Sequence, residues 1–323
     1  MLHANMDIAD KVGALVDQVS VMDGGLKAET AGEIYEADAP QALARQLGSV
    51  LYQTLHTGRD KPLDIKMRTW RESAFDAALQ EATGDRPISR TGRSLGSGGD
   101  GHTIVEIDGL RLRVPDASIT TRAGDSVSLS LPAARPGLSP GFFLATSDGS
   151  PLAGGSSVLR LYGRLDDPDA APAVWRPLVA FLADAGVPWQ AKISSSRLLY
   201  PRNDGVVVYL PRPGWRAARA IAEMLQATGL LGEGTSPFTR AITPSVGCAF
   251  EPDDQRPARR EMSFGQHRAQ AFAEALVKHA ALPHSEQEPV NEIIAATFID
   301  AGIDPSEPAR NLSSPLVDVL RSY

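Results

Sequence analysis

One cysteine, Cys248, and only six lysines among 32 basic residues are the scarcities that say most about this chain. A lone cysteine excludes an internal disulfide and any zinc cluster built on cysteine. His3, His56, His102, His267, His279 and His284 show no HExxH or comparable spacing, so neither a metal nor another cofactor is expected. No apolar run approaches ~18 residues and the N-terminus has no signal-peptide core. A membrane partner is therefore not predicted, and a cytoplasmic location is the default. Excess positive charge is also missing: the net charge of −7 argues against a general nucleic-acid binder. Arginine-rich stretches at 86–93, 111–122, 197–219 and 256–268 still allow local anion binding.

What is present divides the chain by periodicity. Residues 1–82 read as a helical N-terminal region. Apolar positions recur at helical spacing in 7–19 and 40–55, and Trp70–Leu79 adds a short helix. Residues 83–101 hold six glycines and three arginines with almost no apolar period, which predicts a flexible loop. From 102 the period becomes two: a hairpin over 104–114 turning at Asp108-Gly109, then strands at 125–131, 141–146 and 158–165. The 141–146 strand is expected to end at a turn, Ser147-Asp-Gly149. Helices are expected at 171–185, 215–228, 264–279 and 288–301, and strands around Lys192 and 206–210. The predicted class is α+β, a helical front followed by an antiparallel-sheet body over 102–323 flanked by helices.

In an arginine-biased chain, a lysine kept inside an apolar run stands out, because a lysine can give up its proton and arginine cannot. Lys192 lies in Val187-Pro-Trp-Gln-Ala-Lys192-Ile193, followed within ~20 residues by Arg197, Tyr200, Arg202, Asp204 and Tyr209. That pattern suits an anion site containing a base; a strand lysine snorkelling into a solvated ion pair fits the same window. Arg160, Tyr162 and Arg164 share one face of the 158–165 strand, so guanidinium groups could gather near Lys192. Ser194-Ser195-Ser196 and Gly96-Ser-Gly-Gly look like phosphate cradles but lack the P-loop lysine, which excludes a kinase on that basis.

Several short windows resemble the type III effector-like lyases of class V lanthipeptide and thioamitide biosynthesis. They are Pro140-Gly-Phe-Phe, Arg160-Leu-Tyr162, Lys192 with Tyr200-x-Arg202-x-Asp204, Pro237-Phe-Thr, Gly247-x-Ala249-x-Glu251-Pro252 and Ser263-Phe-Gly-x-x-Arg268. The front third matches only through Leu51-Tyr52 and the hairpin. The resemblance implies a phosphothreonine-lyase-like fold and elimination of phosphate from a precursor peptide that a separate Ser/Thr kinase has phosphorylated, leaving dehydroalanine or dehydrobutyrine. It also implies that Lys192 is the base and that Arg202 and Arg268 bind phosphate.

The general acid has no clear match. Candidates are Tyr162, Tyr200 and His267, and each tyrosine equally fits an aromatic packed on a sheet. Arg160 and Arg164 complete the phosphate-binding set, and Asp204 either orients Arg202 or Lys192 or stabilises a turn. Cys248 reads as a small core residue and Lys66 as a solvated one. Two other functions fit the same residues: a non-catalytic peptide- or kinase-binding module, and an effector-like protein acting on partner proteins.

Overall fold

The computed structural model describes residues 8–63, 72–148, 157–283, 285 and 288–316. The expectations for Lys66, for a helix start at Trp70 and for a turn at Gly149 lie outside them. The front region is not wholly helical. After a short α1 (Asp10–Gly13), strands β1 (Val19–Met22), β2 (Lys27–Thr30) and β3 (Glu33–Glu36) form an antiparallel three-stranded sheet. Its turns, at Asp23-Gly24-Gly25 and Ala31-Gly32, take positive φ throughout, which is hairpin chemistry. Helix α2 (Pro40–Leu51) then follows, starting on a proline, and runs into a π turn over Tyr52–His56. Helix α3 spans Ser73–Thr83.

Residues 87–99 are a strand, not the expected flexible loop. β4 (Pro87–Gly99) is the central member of a five-stranded sheet with β5 (His102–Ile107), β6 (Leu110–Pro115), β7 (Ile119–Ala123) and β8 (Ser126–Pro132), in order β6-β5-β4-β8-β7. The small polar side chains of β4 hide its alternation, because the apolar filling comes from neighbours: Val105, Val114, Val127 and Leu129 make the core. Gly92 is needed there, since a Cβ would meet Val105 Cγ1 at 2.5 Å. The predicted β5–β6 hairpin forms, with Asp108 and Gly109 at φ 50 and 79°.

The body is a seven-stranded antiparallel sheet. Its members are β9 (Ala134–Ser139), β10 (Phe142–Thr146), β11 (Val158–Leu165), β12 (Gln190–Ser194), β13 (Arg202–Pro211), β14 (Arg240–Thr243) and β15 (Val246–Phe250), in order β14-β15-β11-β13-β12-β10-β9. Alternate side chains leave opposite faces of each strand. Leu159, Leu161, Val206 and Val208 pack against α3, α4 (Ala171–Asp184) and α5 (Ala218–Ala227), through residues such as Trp175, Leu178 and Ile221. Tyr162, Val207 and Ala249 pack the other way, against α2, α6 (Phe264–Ala281) and α7 (Val290–Asp300), through Leu43, Phe264, Phe272 and Ile294. The result is a mixed helix and antiparallel-sheet fold with helices on both faces of the main sheet. Helix α6 starts as its sequence dictates: Ser263 accepts from Gln266 N–H while Gln266 Oε1 accepts from Ser263 N–H, a capping box.

Candidate functional site

Register brings the candidate residues onto the α2/α6 face. Residues opposed in an antiparallel ladder share a face. Tyr162 opposes Val207, which opposes Lys192, while Arg160 opposes Tyr209, which opposes Gln190. Lys192 Nζ sits 4.1 Å from the Phe142 ring centroid and 5.8 Å from that of Tyr209. Among the described residues it has no ion pair or hydrogen bond, so the solvated ion pair is not formed. Arg202 also lies over Phe142, at 4.9 Å, so one ring spaces the two cations.

Each arginine is aimed by a carboxylate. Asp204 forks Arg202 through Nε and Nη2, at 2.6 and 2.8 Å, in a buried pair. Glu251 forks Arg160 in the same way, and Arg160 lies 4.8 Å over the Tyr209 ring. In both cases Nη1 stays outside the fork. Burial works against the Asp204 carboxylate, but the Arg202 charge and hydrogen bonds override it and hold its pKa down at about 2.

The sequence reading missed His56. The π turn ending α2 stacks its ring on Tyr52, with centroids 5.7 Å apart, and edge-on to Tyr162 at 5.3 Å. Its Nδ1 lies 3.0 Å from Ser236 Oγ and its Nε2 3.9 Å from Asp204 Oδ2. Asn203 fastens the turn by donating to the His56 carbonyl at 3.1 Å, and its own N–H donates to Thr57 at 2.8 Å. Gly265 makes room, because a Cβ there would meet the His56 ring at 2.1 Å. Burial first, then the charges of Arg202, Arg160 and Lys192, lower the His56 pKa to about 4 against the pull of Asp204. Burial raises Tyr52 to about 12 and pushes Tyr162 well above its ordinary range. The Tyr162 hydroxyl is buried next to Arg160, with no partner in hydrogen-bond geometry among the described residues.

A cleft of about 680 Å³ opens over this cluster, lined by Tyr52, Arg59, Phe142 and Arg202. Arg59, half-buried, donates to the Leu199 carbonyl, and burial lowers its pKa to about 10. The cleft is lined by the guanidinium groups of Arg59 and Arg202; the unpaired Lys192 group packs on its Phe142 wall, and the neutral His56 imidazole is buried behind Tyr52. That set can hold an anion and move a proton.

Four expected site residues are placed elsewhere. Tyr200 donates its hydroxyl to the Ser194 carbonyl at 2.7 Å and packs on Phe75 in the opposite core, so it is a structural aromatic. Arg164 follows a register shift between Gly163 and Leu165 that breaks the two-residue alternation. It binds Asp166 at 2.8 Å and Asn203 at 2.9 Å. His267 is buried between Arg268 and Asp254. Arg268 spends its donors on the carbonyls of Pro308 and Arg310, on Asn311 and on His267, tying the 304–311 segment to α6. Cys248 lies in the core, as expected. Among the described residues no His, Cys, Asp and Glu cluster could hold a metal, and no helix is long and apolar enough to cross a membrane.

Residues 133–310, from the β8–β9 junction to the segment tied by Arg268, match the HopA1 effector protein family. The chain belongs to that family. Among the solved structures similar to this chain are two effector proteins. One is the effector protein from Pseudomonas syringae pv. tomato strain DC3000, at 12% identity and TM-score 0.49, covering 94% of this chain and 96% of that one. Another is the effector protein from Pseudomonas syringae pv. syringae strain 61, at 15% identity and TM-score 0.45, covering 84% and 94%. No curated protein matches the chain. The HopA1 match contains Arg160, Lys192, Arg202, Asp204 and Glu251 but stops short of Tyr52 and His56.

Proposed function

We propose that this cleft eliminates phosphate from a phosphoserine or phosphothreonine of a peptide. The observation that carries the reading is the unpaired Lys192 amine held against Phe142 beside Arg202. Lys192 takes the Cα proton, and those electrons form the Cα–Cβ double bond. The Cβ–O bond breaks and phosphate leaves with the bond pair. Nη1 of Arg202 and of Arg160, with Arg59, neutralises the dianion and the charge that builds on the leaving oxygen. His56 supplies the proton to that oxygen. It is neutral in the free protein because positive charge and burial surround it. A bound dianion offsets the positive charge and raises its proton affinity, so the acid forms when substrate arrives. The Tyr162 hydroxyl adds a donor.

The substrate in this reading is a ribosomal precursor peptide of lanthipeptide or thioamitide type, phosphorylated by a separate Ser/Thr kinase that docks with the lyase. Family membership favours a second reading in which the substrate is a partner protein, as for an effector. The test is incubation of phosphothreonine and phosphoserine peptides with the protein and a small thiol. A thiol adduct at the phosphorylated position is expected, because thiols add to dehydroamino acids. A free hydroxyl there means hydrolysis and contradicts elimination. Binding with no reaction leaves a non-catalytic peptide-binding module.

A further inference from the structure

A second cavity, of about 590 Å³, lies between α2 and α6, away from the reacting groups. Its walls are mostly apolar, with Ala44, Met262, Val277 and Ala281, and they carry Arg45, Arg259 and Lys278 against the single acid Glu274. Arg259 is 8% exposed; one guanidinium nitrogen pairs with Glu274, while Nη1 is buried with no acceptor among the described residues. A buried guanidinium N–H without an acceptor is costly in a folded protein. The excess of Arg45, Arg259 and Lys278 over Glu274 in a mostly apolar lining calls for a carboxylate carried on apolar neighbours.

The groove and the reaction cleft lie along the same two helices. Along α2, Gln41 and Arg45 line the groove, and Ser49 and Gln53, one and two turns further on the same stripe, line the cleft. Along α6, Lys278, Glu274 and Gln270 line the groove and Gln266 lines the cleft. The helices run antiparallel and touch where Gly48 admits Gln270, since a Cβ at 48 would meet its Oε1 at 2.3 Å. From Gln53 back to Gln41 the helix covers roughly 18 Å at ~1.5 Å per residue. That is the reach of about five or six extended residues.

We infer that the α2/α6 groove is a second subsite for the substrate peptide, taking an acidic residue flanked by apolar ones about five or six positions from the phosphorylated residue. The inference rests on the peptide-lyase reading for its substrate, while its own content is the acidic-apolar segment. It is tested by fluorescence anisotropy on the Lys192→Ala protein, which holds peptide without turnover. The probes are labelled alanine–leucine peptides with one phosphothreonine and a single glutamate moved stepwise along either side. Affinity should rise about three- to tenfold when the glutamate is about five or six residues away, the size of a modest charge contact. Arg45→Glu and Lys278→Glu, both at exposed positions, should remove the gain and leave the glutamate-free phosphopeptide unchanged.

A flat profile, or a gain that survives both substitutions, overturns the inference. Self-association that Arg45→Glu abolishes assigns the groove to a second copy and overturns it too. If no phosphopeptide binds, yet a glutamate–leucine peptide without phosphate binds in an Arg45-dependent way, the groove stands and the lyase reading falls.

Discussion

Acid should weaken this fold through His56, and the size of the effect follows from its surroundings. The imidazole is buried with its pKa lowered to about 4, against 6.5 when unfolded. As pH falls through 6.5 the unfolded chain takes up a proton that the folded one refuses. The stabilisation is therefore complete above 6.5 and is lost progressively toward 4. Going from about pH 8 to about pH 5 costs roughly 2 kcal/mol for this one residue. His267 has the same lowered value, from burial and the Arg268 charge, and adds a similar loss. Asp204, held at about 2, keeps its charge over this range and does not confuse the reading. The assay is urea unfolding followed by tryptophan fluorescence at both pH values, for wild type and His56→Gln. Each protein is referenced to its own high-pH stability. The wild type should lose roughly 4 kcal/mol and the variant about half of that. Equal losses would refute the buried, neutral His56.

Lys192→Arg keeps the charge but not the ability to release a proton, so elimination should fall to the background level while the melting temperature stays close to wild type. Rates on a phosphopeptide, paired with thermal melts, check this. Glu251→Gln leaves the buried Arg160 guanidinium without its counter-charge and should cost on the order of 3 kcal/mol, read by urea unfolding. Gly265→Ala puts a methyl group into the His56 ring and should cost roughly 1–3 kcal/mol, as overpacking does. It should also slow elimination more than Gly13→Ala, where a Cβ meets only the Ile8 side chain at 3.4 Å.

Residues 141–281 were largely legible because their periods are long and regular. The strand holding Lys192, the Ser263 cap and the Asp108-Gly109 turn each follow from local chemistry. Where the signal was not local, the reading failed. β4 borrows its apolar contacts from β5 and β8, so its own sequence resembles a linker. The β1–β3 sheet is short and falls between the two expected helices, inside a front region whose overall pattern reads as helical. His56 meets Ser236 from 180 residues away, and nothing near it in sequence signals that contact. The one local clue was Tyr52 and His56 four apart at a helix end, which puts both rings on one side. Arg164 was misplaced because strict alternation cannot foresee the shift after Gly163. Tyr200 lies just outside a strand, where alternation does not apply at all.

Proton abstraction by Lys192 is read directly with a phosphothreonine peptide carrying deuterium at Cα, incubated without added metal and analysed by mass spectrometry. Wild type should yield a product that has lost both phosphoric acid and the deuterium, and Lys192→Ala should leave the peptide intact. A hydroxyl product that keeps its deuterium, or an elimination indifferent to Lys192, would contradict the account.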